Sequence, residues 1–343
     1  MYLFFNMIIN SCKILFRIFG SFKFHGIIML RAQQWNSQIW LSGWWKASVS
    51  RGGDAKRALL TKVFMHNLDI FRDGAYRTET DRVVTLPVSG AFVDESQMFS
   101  APIELKNDTK GVRPQLHVLN QDCILATRNL VEQGYNPALL NMASLYHPGG
   151  GVLTGSSAQE EDLCRRSNLA ISLYQFSLPG GRYGDLADMV HVQRRAERYP
   201  MDNIYGGIYS PDITFFRGTR EEGYVLLDEP FKAAVISVAS LNYNPKHGHN
   251  QLENGNIPEA DKPVLKEKIR TILRIGALKK HDSLVLGALG CGAFCTPPAQ
   301  MARLFHEVLS EAEFQNRFKL IVFAIIDSPS SNNFKPFQKE FQK

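Results

Sequence analysis

Two adjacent glutamates, Glu160 and Glu161, follow three consecutive glycines, Gly149–Gly151, in the stretch NMASLYHPGGGVLTGSSAQEEDLCRR. Glycine lets backbone N–H groups approach a phosphate closely and adopt the positive φ angles that turn those donors inward. The N-terminus of a following helix adds favourable partial charge. Carboxylates, by contrast, repel phosphate. A sugar joined to a diphosphate reconciles the two: the glycines hold the diphosphate and the acids reach the sugar beyond it. A plainer alternative is that acids in a first helical turn complement the helix dipole, with Glu161–Arg165 and Asp162–Arg166 as favourable i,i+4 pairs. A second glycine loop, Gly290–Gly292, lies in LGALGCGAF. Neither loop carries the GK[ST] of a nucleoside-triphosphate loop or the GxGxxG dinucleotide pattern. A diphosphate ligand without catalytic Mg²⁺ therefore fits better than ATP hydrolysis.

Two other constellations compete. Cys291 sits between glycines at a strand end, as a nucleophile would, but no motif places a histidine beside it. The stretch KHGHN offers His247 and His249, an HxH without a third ligand, which reads more readily as a polar loop than as a metal site. Five cysteines form no CxxC pair and are odd in number, which points to reduced intracellular thiols and no zinc site.

These residues need a scaffold, and the apolar pattern supplies one. QLHVLN, ALLNMAS, AAVISVAS, SLVLGAL and LIVFAII read as strands, the last four of buried type. QDCILATRNLVEQG, AQEEDLCRRSNLAISLYQF, PEADKPVLKEKIRTILRIGALKK and PPAQMARLFHEVLSEAEF read as helices between them. Alternation of this kind predicts an α/β fold with a mostly parallel sheet covered on both faces. Both glycine loops then lie at carboxyl ends of strands, where such sheets bind ligands. Residues 36–110 read as a mainly helical accessory region, with Leu59, Val63, Leu68 and Phe71 along one face, and residues 111–343 as the core. The formal charge of +6 comes entirely from six cations ahead of Asp54, so the main body is neutral and no nucleic-acid surface is implied. Residues 1–35 form a basic, apolar leader that is too interrupted for a membrane span and ordered wrongly for a secretory signal. The leader is read either as a targeting or membrane-surface segment or as an extension ahead of a true start at Met29.

The stretch NMASLYHPGGGVLTGSSAQEE closely resembles the GGG-x(6–8)-QEE signature of microbial-type poly(ADP-ribose) glycohydrolases, members of the macrodomain superfamily. LGALGCGAF resembles that family's second phosphate loop, and IYSPDITFFRG and the ending LIVFAIID resemble its other recurrent stretches. The likeness spans roughly residues 50–340. It implies a macrodomain-like three-layer α/β/α fold and cleavage of ribose–ribose bonds in poly(ADP-ribose) or at ADP-ribosylated protein. Glu161 is then the catalytic acid and Glu160 the ligand of ribose hydroxyls. Asn141, Gly149, Gly150, Gly151, Val152, Gln159, Gly290, Cys291, Gly292, Ala293 and Phe294 are implied to bind substrate, Phe294 against the terminal ribose. No cofactor or metal is expected, and the chain is expected to act as a cytoplasmic monomer. Two departures, CTPP after GCGAF and His147 ahead of the first loop's proline, bear on substrate preference. A mono-ADP-ribosyl hydrolase and a non-catalytic ADP-ribose reader are the alternatives.

Overall fold

The computed structural model describes residues 34–106, 113–327 and 332–342. Most of the leader, residues 1–33, lies outside the described residues. Asn36 caps α1 (Ser37–Val49) by accepting from the Ile39 N–H. The helix α2 (Gly53–Asp73) buries Val63, Leu68 and Phe71 of the expected stripe and closes on Gly74, whose φ of 65° is the left-handed conformation that glycine favours. Beyond Asp73 the segment expected to be mainly helical turns to extended structure, because its apolar residues no longer recur at helical spacing. A hairpin of β1 (Ala75–Arg77) and β2 (Val83–Thr85) leads through α3 (Ala91–Asp94) to β3 (Gln97–Phe99), an edge strand of the main sheet.

The core then alternates as its apolar runs predict: β4 (Gln115–Leu119), α4 (Cys123–Glu132) and β5 (Pro137–Met142), followed by a 3₁₀ turn (Val152–Thr154), α5 (Gln159–Arg166), α6 (Leu169–Tyr174) and α7 (Gly181–Met189). Next come β6 (Gly207–Arg217), β7 (Leu226–Val238), α8 (Lys262–Leu278), β8 (Ser283–Leu286), α9 (Pro298–Leu309), β9 (Leu320–Ala324) and α10 (Phe334–Phe341). The seven-stranded sheet runs β3-β6-β7-β5-β8-β9-β4, parallel from β7 to β4, with β6 antiparallel to both β7 and β3. Successive residues of a strand face opposite ways. Leu139, Val235 and Val285 therefore join the core under α2 and α4–α7. Their neighbours Leu140, Ile236 and Leu284 join a second core under α8–α10. This is the expected three-layer, mostly parallel arrangement.

Two local expectations are corrected. The single helix expected over residues 158–176 is two: Ser167 is extended (φ −147°, ψ 175°) and bridges to Phe215, which separates α5 from α6. The strand β6 escaped the apolar pattern because Pro211 and Asp212 interrupt it. The sheet absorbs them in a register shift between Ser210 and Ile213, with Asp212 at a φ of 49°. Among the described residues no helix is long and apolar enough to cross a membrane.

Inside α8, Lys268 is 1% exposed and its Nζ has no hydrogen-bond partner among the described residues. Burial pushes its pKa down to about 8, with Asp202 partly opposing. The unfolded chain therefore takes up this proton at higher pH than the folded one. Stability from this group is present above the unfolded pKa and is lost as pH falls from there through the folded value. Lys268→Met is expected to stabilise the fold at pH 7 by about 2–3 kcal/mol. The gain should shrink as pH rises from about 8 towards about 10.4, as followed by denaturant unfolding at a series of pH values.

Candidate active site

The adjacent parallel strands β5 and β8 end on the same rim, which brings the loops after Met142 and Leu286 together around a cavity of about 820 Å³. The first wall is built from β5 outward. β8 pairs with β5 only over Pro137–Leu139. Past that point the Gln159 side chain takes the place of a strand: its Nε2 donates to Leu140 O (2.7 Å) and its Oε1 accepts from Met142 N–H (2.8 Å). This pins the first turn of α5 to the strand end, so Gln159 lines the cavity with its amide already engaged.

Glu160 is 3% exposed. Its Oε2 accepts from Ser144 N–H (2.7 Å), and its Oε1 accepts from Gly149 N–H (3.2 Å) and more distantly from Asn141 Nδ2 (3.5 Å). Burial pushes its pKa well above the usual carboxylate range and the neighbouring Glu161 adds to that, against the pull of the three donors. Glu161 accepts from Gly151 N–H at Oε1 (2.8 Å), while its Oε2 is buried without a partner. A buried carboxylate oxygen left unsatisfied is costly in a finished core, and this one belongs to a residue that lines the cavity.

Gly150 explains the bare backbone beside the acids. Its φ is 57°, and a Cβ there would lie 2.5 Å from Glu161 Oε1 and 2.8 Å from Glu160 Oε2. Neighbouring helical residues diverge by about 100°, yet both side chains curl back over the helix N-terminus onto this one glycine. The N–H groups expected to hold a diphosphate are thus engaged within the chain. The N–H groups of Gly149 and Gly151 hold the carboxylates and that of Gly150 donates to His147 O (3.0 Å). The anions these amides satisfy are the protein's own.

Free donors sit on the opposite wall. Among the described residues the N–H groups of Gly292, Ala293 and Phe294 have no hydrogen-bond partner, while Phe294 O and Ala293 O accept from Tyr243 N–H (2.8 Å) and Asn244 Nδ2 (2.9 Å). Gly290, Gly292, Ala293 and Phe294 line the cavity.

Three expected contacts fall elsewhere. Val152 is fully buried in the core beneath the loop, where its apolar side chain is drawn. Cys291 packs against the other core, its Sγ donating to Leu289 O (3.6 Å), and burial pushes its thiol up, which disfavours the thiolate a nucleophile needs. Asn141 is fully buried behind Glu160 and also donates to Ser237 Oγ (3.0 Å).

The structure adds residues that no motif marked. Arg166 joins Asp122 (2.7 Å) and Asp162 (3.1 Å) in the cavity wall, and Tyr224 Oη donates to Asp162 (2.9 Å). The Asp162–Arg166 half of the anticipated helix pairing therefore forms. Arg165 instead donates to Leu60 O and Ser156 O, which leaves Glu161 Oε2 without a partner. Arg166 had a signal in its i,i+4 spacing, whereas Asp122 and Tyr224 come from distant elements.

Residues 65–218 match the family model of the microbial-type PARG catalytic domain, PARG being poly(ADP-ribose) glycohydrolase. That stretch belongs to the microbial-type PARG family. Poly(ADP-ribose) glycohydrolase from Thermomonospora curvata is similar at 28% identity and a TM-score of 0.65, over 82% of this chain and 99% of that one. The same enzyme bound to the inhibitor ADP-HPD matches at 29% identity and a TM-score of 0.64. Poly(ADP-ribose) glycohydrolase from Deinococcus radiodurans in complex with ADP-ribose matches at 29% identity, over 76% of this chain and 98% of that one, with a TM-score of 0.57. No curated protein sequence matches the chain. Within this PARG-family stretch, Gly150→Ala is expected to lower unfolding stability by about 1–3 kcal/mol, through positive-φ strain and overlap with both carboxylates. Gly292→Ala, where a Cβ meets nothing within 4 Å, should leave stability nearly unchanged in the same melts.

Proposed function

We propose that this chain hydrolyses the ribose–ribose O-glycosidic bonds of poly(ADP-ribose) and releases ADP-ribose, with Glu161 as general acid and then general base. One observation carries the reading: Glu161, whose Oε2 is buried and unpartnered, lines a cavity large enough for a dinucleotide-sized ligand. A non-catalytic reader has no use for such a group.

Most glycosidases flank the scissile bond with two carboxylates. Here both acids converge on Gly150, on one side of the cavity, so one of them does both proton transfers. Burial and the adjoining Glu161 raise the Glu160 pKa well above the usual carboxylate range, which keeps a proton at hand beside Glu161. Glu161 Oε2 gives that proton to the leaving ribose oxygen as the bond to the anomeric carbon breaks. Water then adds to the oxocarbenium-like centre and returns a proton to the same oxygen. Glu160, fixed by Ser144, Gly149 and Asn141, presents its remaining lone pairs to ribose hydroxyls. The open N–H groups of Gly292–Phe294 suit the diphosphate, which lies close enough to the cationic centre to stabilise it, and Phe294 packs against the terminal ribose. All lining residues fall between Gln121 and Asn333, which supports assigning the chemistry to residues 111–343.

Glu161→Gln keeps size but removes the transferable proton. ADP-ribose release from the polymer is expected to fall by about 10²–10⁴-fold, while calorimetric affinity for free ADP-ribose changes little. Normal turnover in this variant would end the mechanism.

A further inference from the structure

The proposal starts from the stretch that the mechanism leaves unused, KHGHN. No third His, Cys, Asp or Glu gathers with His247 and His249 among the described residues. The surrounding loop is nonetheless built tightly. Gly248 N–H and His247 N–H donate to Asn244 O, Asn250 N–H donates to Asn242 O, and Lys246 N–H donates to Asn244 Oδ1 (2.9 Å). Gly248 is the residue that allows this, since a Cβ there would lie 2.4 Å from Asn242 O.

The loop is anchored at both walls of the cavity. On one side Tyr243 and Asn244 bond the backbone of Phe294 and Ala293. On the other, the His249 ring meets the Tyr146 ring edge-on, with centroids 5.9 Å apart at 72°. Tyr146 lies 6.5 Å from the ring of His147, which lines the cavity. The N–H groups of Tyr146 and His147 both donate to Ser144 Oγ (3.3 and 3.2 Å), and Ser144 N–H holds Glu160. Three exposed rings thus stand together, two of them only two and three residues from the Ser144 N–H that holds Glu160, with Lys246 exposed in the same loop as His249. Tyr146 is 49% exposed, an unusual position for an aromatic residue fixed on so short a loop.

We propose that Tyr146, His147 and His249 form a shelf that stacks the adenine of the leaving unit, the ADP-ribose on the far side of the scissile bond. This rests on the glycohydrolase reading above. A polymer cut at the ribose beside Phe294 and Glu161 must continue out of the cavity past its rim. An exposed set of aromatic faces gives sequence-tolerant stacking to a base, and Lys246 gives the adjoining diphosphate a cation. Such a shelf grips polymer but not free ADP-ribose, which ends at the bond.

The test compares wild type with Tyr146→Ala, His249→Ala and Tyr146→Phe, using purified poly(ADP-ribose) as substrate and free ADP-ribose as ligand. Each alanine variant should raise KM for the polymer about tenfold, with kcat held within about threefold and the Kd for ADP-ribose unchanged. Tyr146→Phe, which keeps the ring, should retain the wild-type KM. An unchanged KM in both alanine variants, or an equal loss of ADP-ribose affinity, overturns the shelf while the glycohydrolase reading stands. Failure of the wild type to release ADP-ribose overturns that reading, and the shelf with it.

Discussion

The site depends on two carboxylates held against one glycine. Glu160 and Glu161 are buried side by side, where their charges repel and water cannot screen them. What makes the arrangement tolerable is the backbone of the loop, which turns the N–H groups of Ser144, Gly149 and Gly151 onto three of the four carboxylate oxygens. The fourth, Glu161 Oε2, is the exception, buried without a partner in a residue that lines the cavity. Gly150 must be bare for this geometry, since any side chain there would occupy the space of the acids.

A division of labour between the two loops follows. The loop after β5 spends the N–H groups of Gly149 and Gly151 on the protein's own carboxylates. The loop after β8 has its carbonyls tied back by Tyr243 and Asn244 and its amides open, the arrangement that the proposed diphosphate site requires. Separating the two functions keeps a substrate phosphate from competing with the glutamates for the same N–H groups.

The acids also need support from behind. α5 is only eight residues long, too short to be stable by itself. Gln159 pins its start to β5, and Asn67 Nδ2 on α2 donates to Arg165 O (2.8 Å) and Cys164 O (3.3 Å), satisfying carbonyls near its end. Asn67 is in turn held by the fully buried Arg217 of β6 (2.7 Å). Gly155 lets the turn after the loop press on α2, where a Cβ would lie 2.2 Å from Arg57 O. The N-terminal helices therefore share the core that positions the two glutamates.

The sequence by itself determined the strands β4, β5, β8 and β9, the helices α2, α4, α8 and α9, the two glycine loops and the identity of the acids. Each of these is a matter of local period or of residues close in the chain. Apolar runs, helical stripes and a GGG beside an EE need no partner from elsewhere to be read. Tertiary structure alone decided which donors face which acceptors. Asn141 meets Ser237, Tyr146 meets His249 and Arg217 meets Asn67 across long stretches of chain. It also decided that Gln159 completes a strand, that Val152 and Cys291 belong to the two cores, and that Asp162 takes its arginine while Glu161 does not. Burial and hydrogen bonding are set by the groups that folding brings around a side chain, and so the one carboxylate oxygen of the pair without a donor became visible only in the folded chain.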